Sequence, residues 1–119
     1  VSYRANRLAG EIKRVITELL QTGLKDPRVH MLTSITAVDV SRDLRHAKVF
    51  VSVMGSEEEQ KKTLEGLQSA NGFIRSELGK QIRLNYHPEL LFELDRSIEH
   101  SLKISQMLKD LKPDKEREN

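Results

Sequence analysis

The sequence predicts a small α+β domain, a three-stranded sheet backed by helices, and two patterns carry that expectation. Leu8, Ile12, Val15, Ile16, Leu19 and Leu20 recur at helical spacing, which predicts an amphipathic helix over residues 4–22. Ala47, Val49, Val51 and Val53 alternate with Lys48, Phe50, Ser52 and Met54, which predicts a strand over 46–54 with its valine face on the core. At 119 residues the chain fits one domain. A chain of this size buries roughly 65% of its unfolded surface, enough for one core.

The remaining elements have local signals. Gly23 is a natural helix stop. In Lys25-Asp26-Pro27-Arg28 the proline fixes its own φ and keeps Asp26 out of the helical region, so a turn is expected. Residues 32–41 are rich in Thr, Ile and Val, which suits a strand. Ser41-Arg42-Asp43-Leu44-Arg45 reads as a hairpin loop, with Asp43 placed to accept from nearby amides. Ser56 followed by Glu57, Glu58 and Glu59 is a helix start: a capping serine, then acids at the positive end of the dipole. Leu64, Leu67, Ile74 and Leu78 continue one apolar stripe through Ala70-Asn71-Gly72, so the segment reads as a kinked helix pair that ends at Gly79. Pro88 opens a third strand, with Leu90, Phe92 and Leu94 facing one way. Ser97, or Asp95 two residues before it, reads as the cap of a short last helix carrying Ile98, Leu102, Met107, Leu108 and Leu111. Past Pro113 the charged tail has nothing to bury, which gives one domain over residues 1–112 and a disordered tail over 113–119.

Composition excludes several functions. With 37% hydrophobic residues, two Tyr, three Phe and no Trp, the core must be aliphatic, and a broad aromatic platform for stacking bases is not expected. Phe50 and Met54, opposite the valines, are expected to be core or partly buried. The absence of cysteine excludes a disulfide scaffold, thiol catalysis and the usual zinc ribbons. His30, His46, His87 and His100 are scattered without metal-ligand spacing, so no metal is expected. Gln81 stands where a phosphate loop needs Ser or Thr, and Asp26 and Asp43 read as turn residues. The chain is therefore read as non-enzymatic and without a cofactor. No apolar run approaches the ~20 residues that span a membrane. Val1 to Arg14 carries charges where a signal peptide needs its apolar region, so a soluble cytoplasmic chain is expected.

The net charge is only +2, but residues 1–48 carry nine Lys or Arg against five Asp or Glu. Arg4, Arg7 and Arg14 share one helix face, a plausible phosphate-facing row. Arg28, Arg45 and Lys48 lie on turns or strand starts. At Ala70, Asn71 and Gly72, small residues open the backbone of a helix, and the cations Arg75, Lys80 and Arg83 follow. Exposed amides beside cations suit an RNA backbone. The competing reading makes Ala70-Asn71-Gly72 a packing kink, where small residues let the helix cross the sheet closely, and that is the main role expected.

The order helix, strand, strand, kinked helix pair, strand matches the type II KH fold. The standard KH module clamps RNA with a Gly-x-x-Gly loop between two helices, and here that junction holds Ala70-Asn71-Gly72. Over residues 3–112 the chain also resembles the bacterial ribosome-binding factor A family. The pieces that carry the resemblance are Arg4-Ala5-Asn6-Arg7, Lys25-Asp26-Pro27-Arg28-Val29, Thr36 to Ser41 with Asp43-Leu44, Ala47 to Val53, Ala70-Asn71-Gly72-Phe73-Ile74-Arg75, and Pro88-Glu89-Leu90 with Phe92, Asp95, Ser97 and Ile98. Asn85 and Ser101 depart from it, standing where the family often has Arg and Gly. The resemblance implies a non-enzymatic assembly factor in the cytoplasm. Such a factor binds the immature small (30S) ribosomal subunit and its 16S rRNA near the neck and decoding region. It assists late maturation and 5′-end processing, supports growth in the cold, and departs with help from an assembly GTPase. Nothing in the sequence demands a dimer, so a monomer is expected. The alternative is a protein-interaction adaptor that docks a ribosomal protein or GTPase; a small hydrolase or nuclease lacks a catalytic constellation.

Overall fold

The computed structural model describes residues 3–22, 24, 26–83, 87–97 and 107. The elements run α1 (Tyr3–Thr22), β1 (Thr33–Val40), β2 (His46–Val53), α2 (Glu57–Ser69), α3 (Asn71–Gln81) and β3 (Glu89–Leu94). In the sheet, β2 is central, antiparallel to β1 and parallel to β3. A parallel neighbour requires a crossover, and the α2–α3 pair supplies it. This is the α+β, KH type II-like architecture that the element order predicts.

The periodic stripe of α1 buries Leu8, Ile12, Val15, Ile16 and Leu19, and the helix packs on β1 and α3. The Leu24 N–H returns to the Leu19 carbonyl at 2.8 Å just past the helix end, and Leu24 packs on the core. Gly23 and Lys25 themselves lie outside the described residues. On β2 the valine face is buried as predicted, with Ala47, Val49, Val51 and Val53 inside.

The register of β1 shifts between Ile35, opposite Val51, and Ala37, opposite Phe50, so Thr36 is an extra residue in a bulge. The bulge switches the buried parity: Ile35 is inside before it and Val40 after it. Side chains secure it from both sides. The Thr36 hydroxyl donates to Asp95 Oδ2 at 2.6 Å, and Lys13 Nζ donates to the Thr36 carbonyl at 3.4 Å.

The hairpin loop closes through Asp43, whose Oδ1 accepts from the Arg45 amide at 3.0 Å and the Ser41 hydroxyl at 2.7 Å. Leu44 adopts φ 61°, a left-handed conformation uncommon for a residue with a Cβ. Its side chain packs against the core, which holds it there.

Ser56 caps α2 in a full capping box: its hydroxyl accepts from the Glu59 amide, and the Glu59 side chain accepts from the Ser56 amide. Thr63, fully buried in α2, pins the turn before β1. It accepts from the His30 amide at 3.1 Å and donates to the Glu59 carbonyl at 2.8 Å. Leu67, Ile74 and Leu78 are buried on one continuous stripe. The break at Ala70 is a kink, because Ala70 N–H bonds back to the Gly66 carbonyl and Ile74 N–H to the Ala70 carbonyl.

Three expectations are corrected. Gly79 does not end the helix; α3 continues to Gln81 and is capped at Ile82. Gly72 is not where the helix crosses closely, since a Cβ built on it meets nothing within 4 Å. The close approaches are at Gly66, whose Cβ would sit 3.0 Å from Val29 Cγ2, and at Gly79, 3.0 Å from His87 Nε2. Met54 lies past the end of β2 and is 74% exposed, while Phe50 is half-buried as expected. Of the last helix, Ser97 and Met107 are helical. Ile98, Leu102, Leu108, Leu111, the tail from 113 and the departures Asn85 and Ser101 lie outside the described residues.

Candidate nucleic-acid interface

The fold gathers part of the predicted basic set around one end of the sheet. The 41–45 loop joins β1 to β2 there, and the C-terminal end of α3 and the start of β3 lie beside it. On one side of the loop a shallow cleft of about 200 Å³ is bordered by Arg4, Arg7 and Glu11 of α1, Leu44 of the loop, and Ile82 and Arg83 after α3. Arg4 and Arg7, three residues apart on α1, are both exposed and flank the buried stripe on one side. On the other side a larger cleft of about 440 Å³ is lined by Arg45, His46, Arg75, His87 and Glu89. Five of the predicted cations, Arg4, Arg7, Arg45, Arg75 and Arg83, therefore flank a single loop.

The helix starts differ electrostatically. The first turn of α2 carries Glu57, Glu58 and Glu59. The first turn of α1 carries no acid and includes Arg4, with Arg7 following. Cations at the positive end of a helix dipole are unfavourable, by about 0.3–1 kcal/mol each at the surface. They also raise the positive potential that an approaching phosphate meets.

Other predicted residues are engaged elsewhere. Arg28 sits at the far end of β1, clamped by Asp26 through Nη2–Oδ2 at 2.7 Å and Nε–Oδ1 at 3.1 Å. Arg14 pairs with Glu18 at 3.2 Å, and Lys80 with Glu77 at 3.1 Å. Lys48 lies exposed on the open face of the sheet, across from Asp39 of β1. At the kink, Ala70 packs partly against the core, and Asn71 Nδ2 donates to the Leu90 carbonyl at 3.0 Å, tying α3 to β3. Gly72 is exposed.

The sequence reading missed His46, His87 and Glu89, which the parallel pairing of β3 with β2 brings together: Glu89 stands opposite His46, and its N–H donates to the Arg45 carbonyl at 2.8 Å. No short-range pattern signals that meeting. Arg75 Nη2 donates to the His87 carbonyl at 3.1 Å, which fixes the guanidinium. Arg75 Nε, His87 Nδ1 and Asn71 Oδ1 are buried without a hydrogen-bond partner.

The perturbed carboxylates are structural and held ionised. Asp26 is lowered from 3.8 to about 2 by the Arg28 side chain and then its amide. Asp43 is lowered by the Ser41 hydroxyl and the Arg45 amide, and Asp95 by the Ser97 and Thr36 hydroxyls and the Ser97 amide. Glu59 is lowered by the Ser56 amide and hydroxyl, with His30 adding to it. Among the described residues, no three of His, Asp and Glu come together to hold a metal ion, and no helix is long and apolar enough to cross a membrane.

Comparison with known proteins agrees with this architecture. The family model described as Ribosome-binding factor A matches residues 4–108. The ribosome-binding factor A of Caldanaerobacter subterraneus subsp. tengcongensis is 50% identical over 111 residues, 93% of this chain and 91% of that one. The crystal structure of ribosome-binding factor A from Thermus thermophilus superposes with a TM-score of 0.69 at 28% identity, over 78% of this chain and 97% of that one. A homology model of the Thermus thermophilus factor, fitted into the cryo-EM map of its complex with the 30S subunit, gives a TM-score of 0.64 at 29% identity, over 77% and 96% of the two chains.

Proposed function

The chain belongs to the ribosome-binding factor A family, and on that premise we propose that it binds the immature 30S subunit by laying the 41–45 end of its sheet against 16S rRNA. The observation that carries this is the convergence of Arg4, Arg7 and Arg83 on one side of that loop and Arg45 and Arg75 on the other. Phosphate contacts then supply most of the affinity. The Thermus thermophilus factor fitted into a map of its 30S complex supports the choice of partner. Occupancy is the mechanism: the factor shifts rRNA between two arrangements by binding one more tightly, and so assists late maturation and 5′-end processing. No bond is made or broken. The carboxylates with shifted affinities are held ionised within turns and caps, the opposite of a general acid poised near neutral pH. The chain acts as a cytoplasmic monomer, and an assembly GTPase promotes its release.

The test is co-sedimentation of the full chain with purified immature and mature small subunits across a salt series. Binding should prefer immature particles and fall steeply with salt. Arg7→Glu and Arg83→Glu should each weaken it and lower the log–log salt slope by about 1 for every phosphate that is no longer neutralised. Salt-independent binding that both variants retain would refute the electrostatic reading. It would favour a protein-docking adaptor, for which the exposed Met31, Leu32 and Met54 at the opposite end of the sheet offer a surface.

A further inference from the structure

We propose that the larger cleft, between the 41–45 loop, α3 and the start of β3, holds one nucleotide of an RNA strand, its phosphate on Arg45 and Arg75 and its ribose or base against Glu89 and His87. The inference deepens the RNA-binding reading and rests on it, but it assigns a receptor for one nucleotide where that reading requires only a charged surface.

Size is the first argument. At about 440 Å³ the cleft falls in the range of small-ligand sites and exceeds what a bare phosphate fills. The chemistry of its wall is the second. Two guanidinium groups and two imidazoles face one carboxylate, so the lining is cationic on balance yet contains an acceptor. His46 Nε2 lies 3.9 Å from Glu89 Oε2, which places the carboxylate on the His46 side. A phosphate uses only donors; a ribose 2′-hydroxyl or an exocyclic amine also gives a proton to an acceptor such as Glu89. A mixed wall of this kind fits a nucleotide better than a simple anion.

Preorganisation is the third argument. Arg75 is held by the His87 carbonyl, and His87 is pressed against α3 at Gly79, where even a Cβ would crowd its ring. Both residues line the cleft, and both carry a buried nitrogen without a partner; Asn71 Oδ1, one helical turn before Arg75, is a third orphan. Buried polar groups are paired as a rule, and each exception calls for a cause. A polar occupant, or water carried with it, would satisfy this wall after a small shift of the rings.

The test uses the full chain labelled for NMR, following the Arg75 Nε–Hε signal and the His87 ring signals. Three probes are compared: uridine 5′-monophosphate, a short oligouridylate with a 5′-hydroxyl, and inorganic phosphate. A terminal phosphate as the ligand favours the monophosphate, and an internal phosphodiester favours the oligomer. The inference expects saturable shifts of both residues with at least one of these two, at least tenfold weaker in Arg45→Gln, a loop variant whose amide spectrum reports folding. Inorganic phosphate should give markedly smaller shifts. Equal shifts with inorganic phosphate would reduce the cleft to an anion site and overturn the nucleotide assignment. No response at Arg75 and His87, with small-subunit binding intact and salt-sensitive, would overturn the cleft and leave the RNA reading standing. Loss of subunit binding by the wild-type chain would overturn both.

Discussion

Replacing Gly72 by alanine should stabilise the protein, and replacing Gly66 by alanine should not, although both glycines lie in helices. The intrinsic gain for glycine to alanine in a helix is up to about 1 kcal/mol. At Gly72 nothing opposes it: an added Cβ meets no atom within 4 Å, and the position is exposed. A gain of about 0.5–1 kcal/mol follows, a Tm rise of about 2–6 °C for a domain of this size. At Gly66 the same Cβ would stand 3.0 Å from Val29 Cγ2 and 3.2 Å from Arg28 Cβ. The second atom is bonded to the backbone of the turn, so the turn itself must move, and overpacking of this kind costs about 1–3 kcal/mol. The net effect is a loss of about 1 kcal/mol. Gly10, in α1 and also free of neighbours within 4 Å, serves as a control that should behave like Gly72. Urea denaturation followed by far-ultraviolet circular dichroism, with unchanged m-values, measures all three. If Gly72→Ala destabilises, or Gly66→Ala stabilises as much as Gly10→Ala, the packing argument is wrong. The same Gly72 variant then separates fold from function. If a phosphate approaches the backbone at the kink, the methyl group should weaken subunit binding in a protein that is more stable; unchanged binding removes the kink from the interface.

Thr63→Val conserves shape but leaves the part-buried His30 amide without its acceptor, and should cost about 1–3 kcal/mol in the same urea assay. A cost under about 0.5 kcal/mol would mean that the turn finds another partner. Acid should destabilise the fold for a specific reason. Asp26, Asp43, Glu59 and Asp95 all have lowered folded-state affinities for protons, so below about pH 4 the unfolded chain binds more protons than the folded one. Their contribution is complete above the ordinary carboxylate values and is lost as pH falls; for Asp26 the window runs from about 4 down to about 2. Urea midpoints measured from pH 6 to pH 2.5 should fall across this range, less steeply in Asp95→Asn, and a flat profile would contradict the assigned hydrogen bonds.

Sequence legibility followed the range of the interactions. The stripe of α1 and the alternation of β2 repeat every few residues, and each buries against a single face, so the pattern states the answer. The capping box at Ser56 and the loop at Asp43 are bonds between residues two or three apart, equally local. The bulge at Thr36 was not legible, because its supports, Asp95 and Lys13, come from β3's exit and α1. The glycines show the same limit. Gly66, Gly72 and Gly79 look alike in one helical segment, but what matters is which of them faces another part of the chain. That depends on the turn at Asp26–His30 and on the approach of His87. For the candidate interface, the sequence named the cations without their grouping. Arg45 and Arg75 are thirty residues apart and meet only because β3 pairs parallel to β2. Arg28 looked as suitable as either, until its clamp by Asp26 at the far end of the sheet set it apart.

The two helix starts differ in how far they follow local physics, and the proposed RNA contact accounts for the difference. At α2 the chain does everything local physics recommends: a serine cap, a reciprocal glutamate and three acids at the positive dipole end. At α1 the first turn has no acid and includes Arg4, with Arg7 following. Local rules are broken most often at functional or strained sites, so on the proposed reading Arg4 trades stability for binding. Arg4→Glu puts a number on this. Removing a cation from the dipole's positive end and supplying an anion should raise stability by about 0.5–1.5 kcal/mol, twice the single-charge range at most. In co-sedimentation the same change should weaken subunit binding, most strongly at low salt, where unscreened charge acts furthest. The opposite signs are the substance of the prediction. A purely structural Arg4 would lose stability and leave binding alone, and a solvated bystander would change neither.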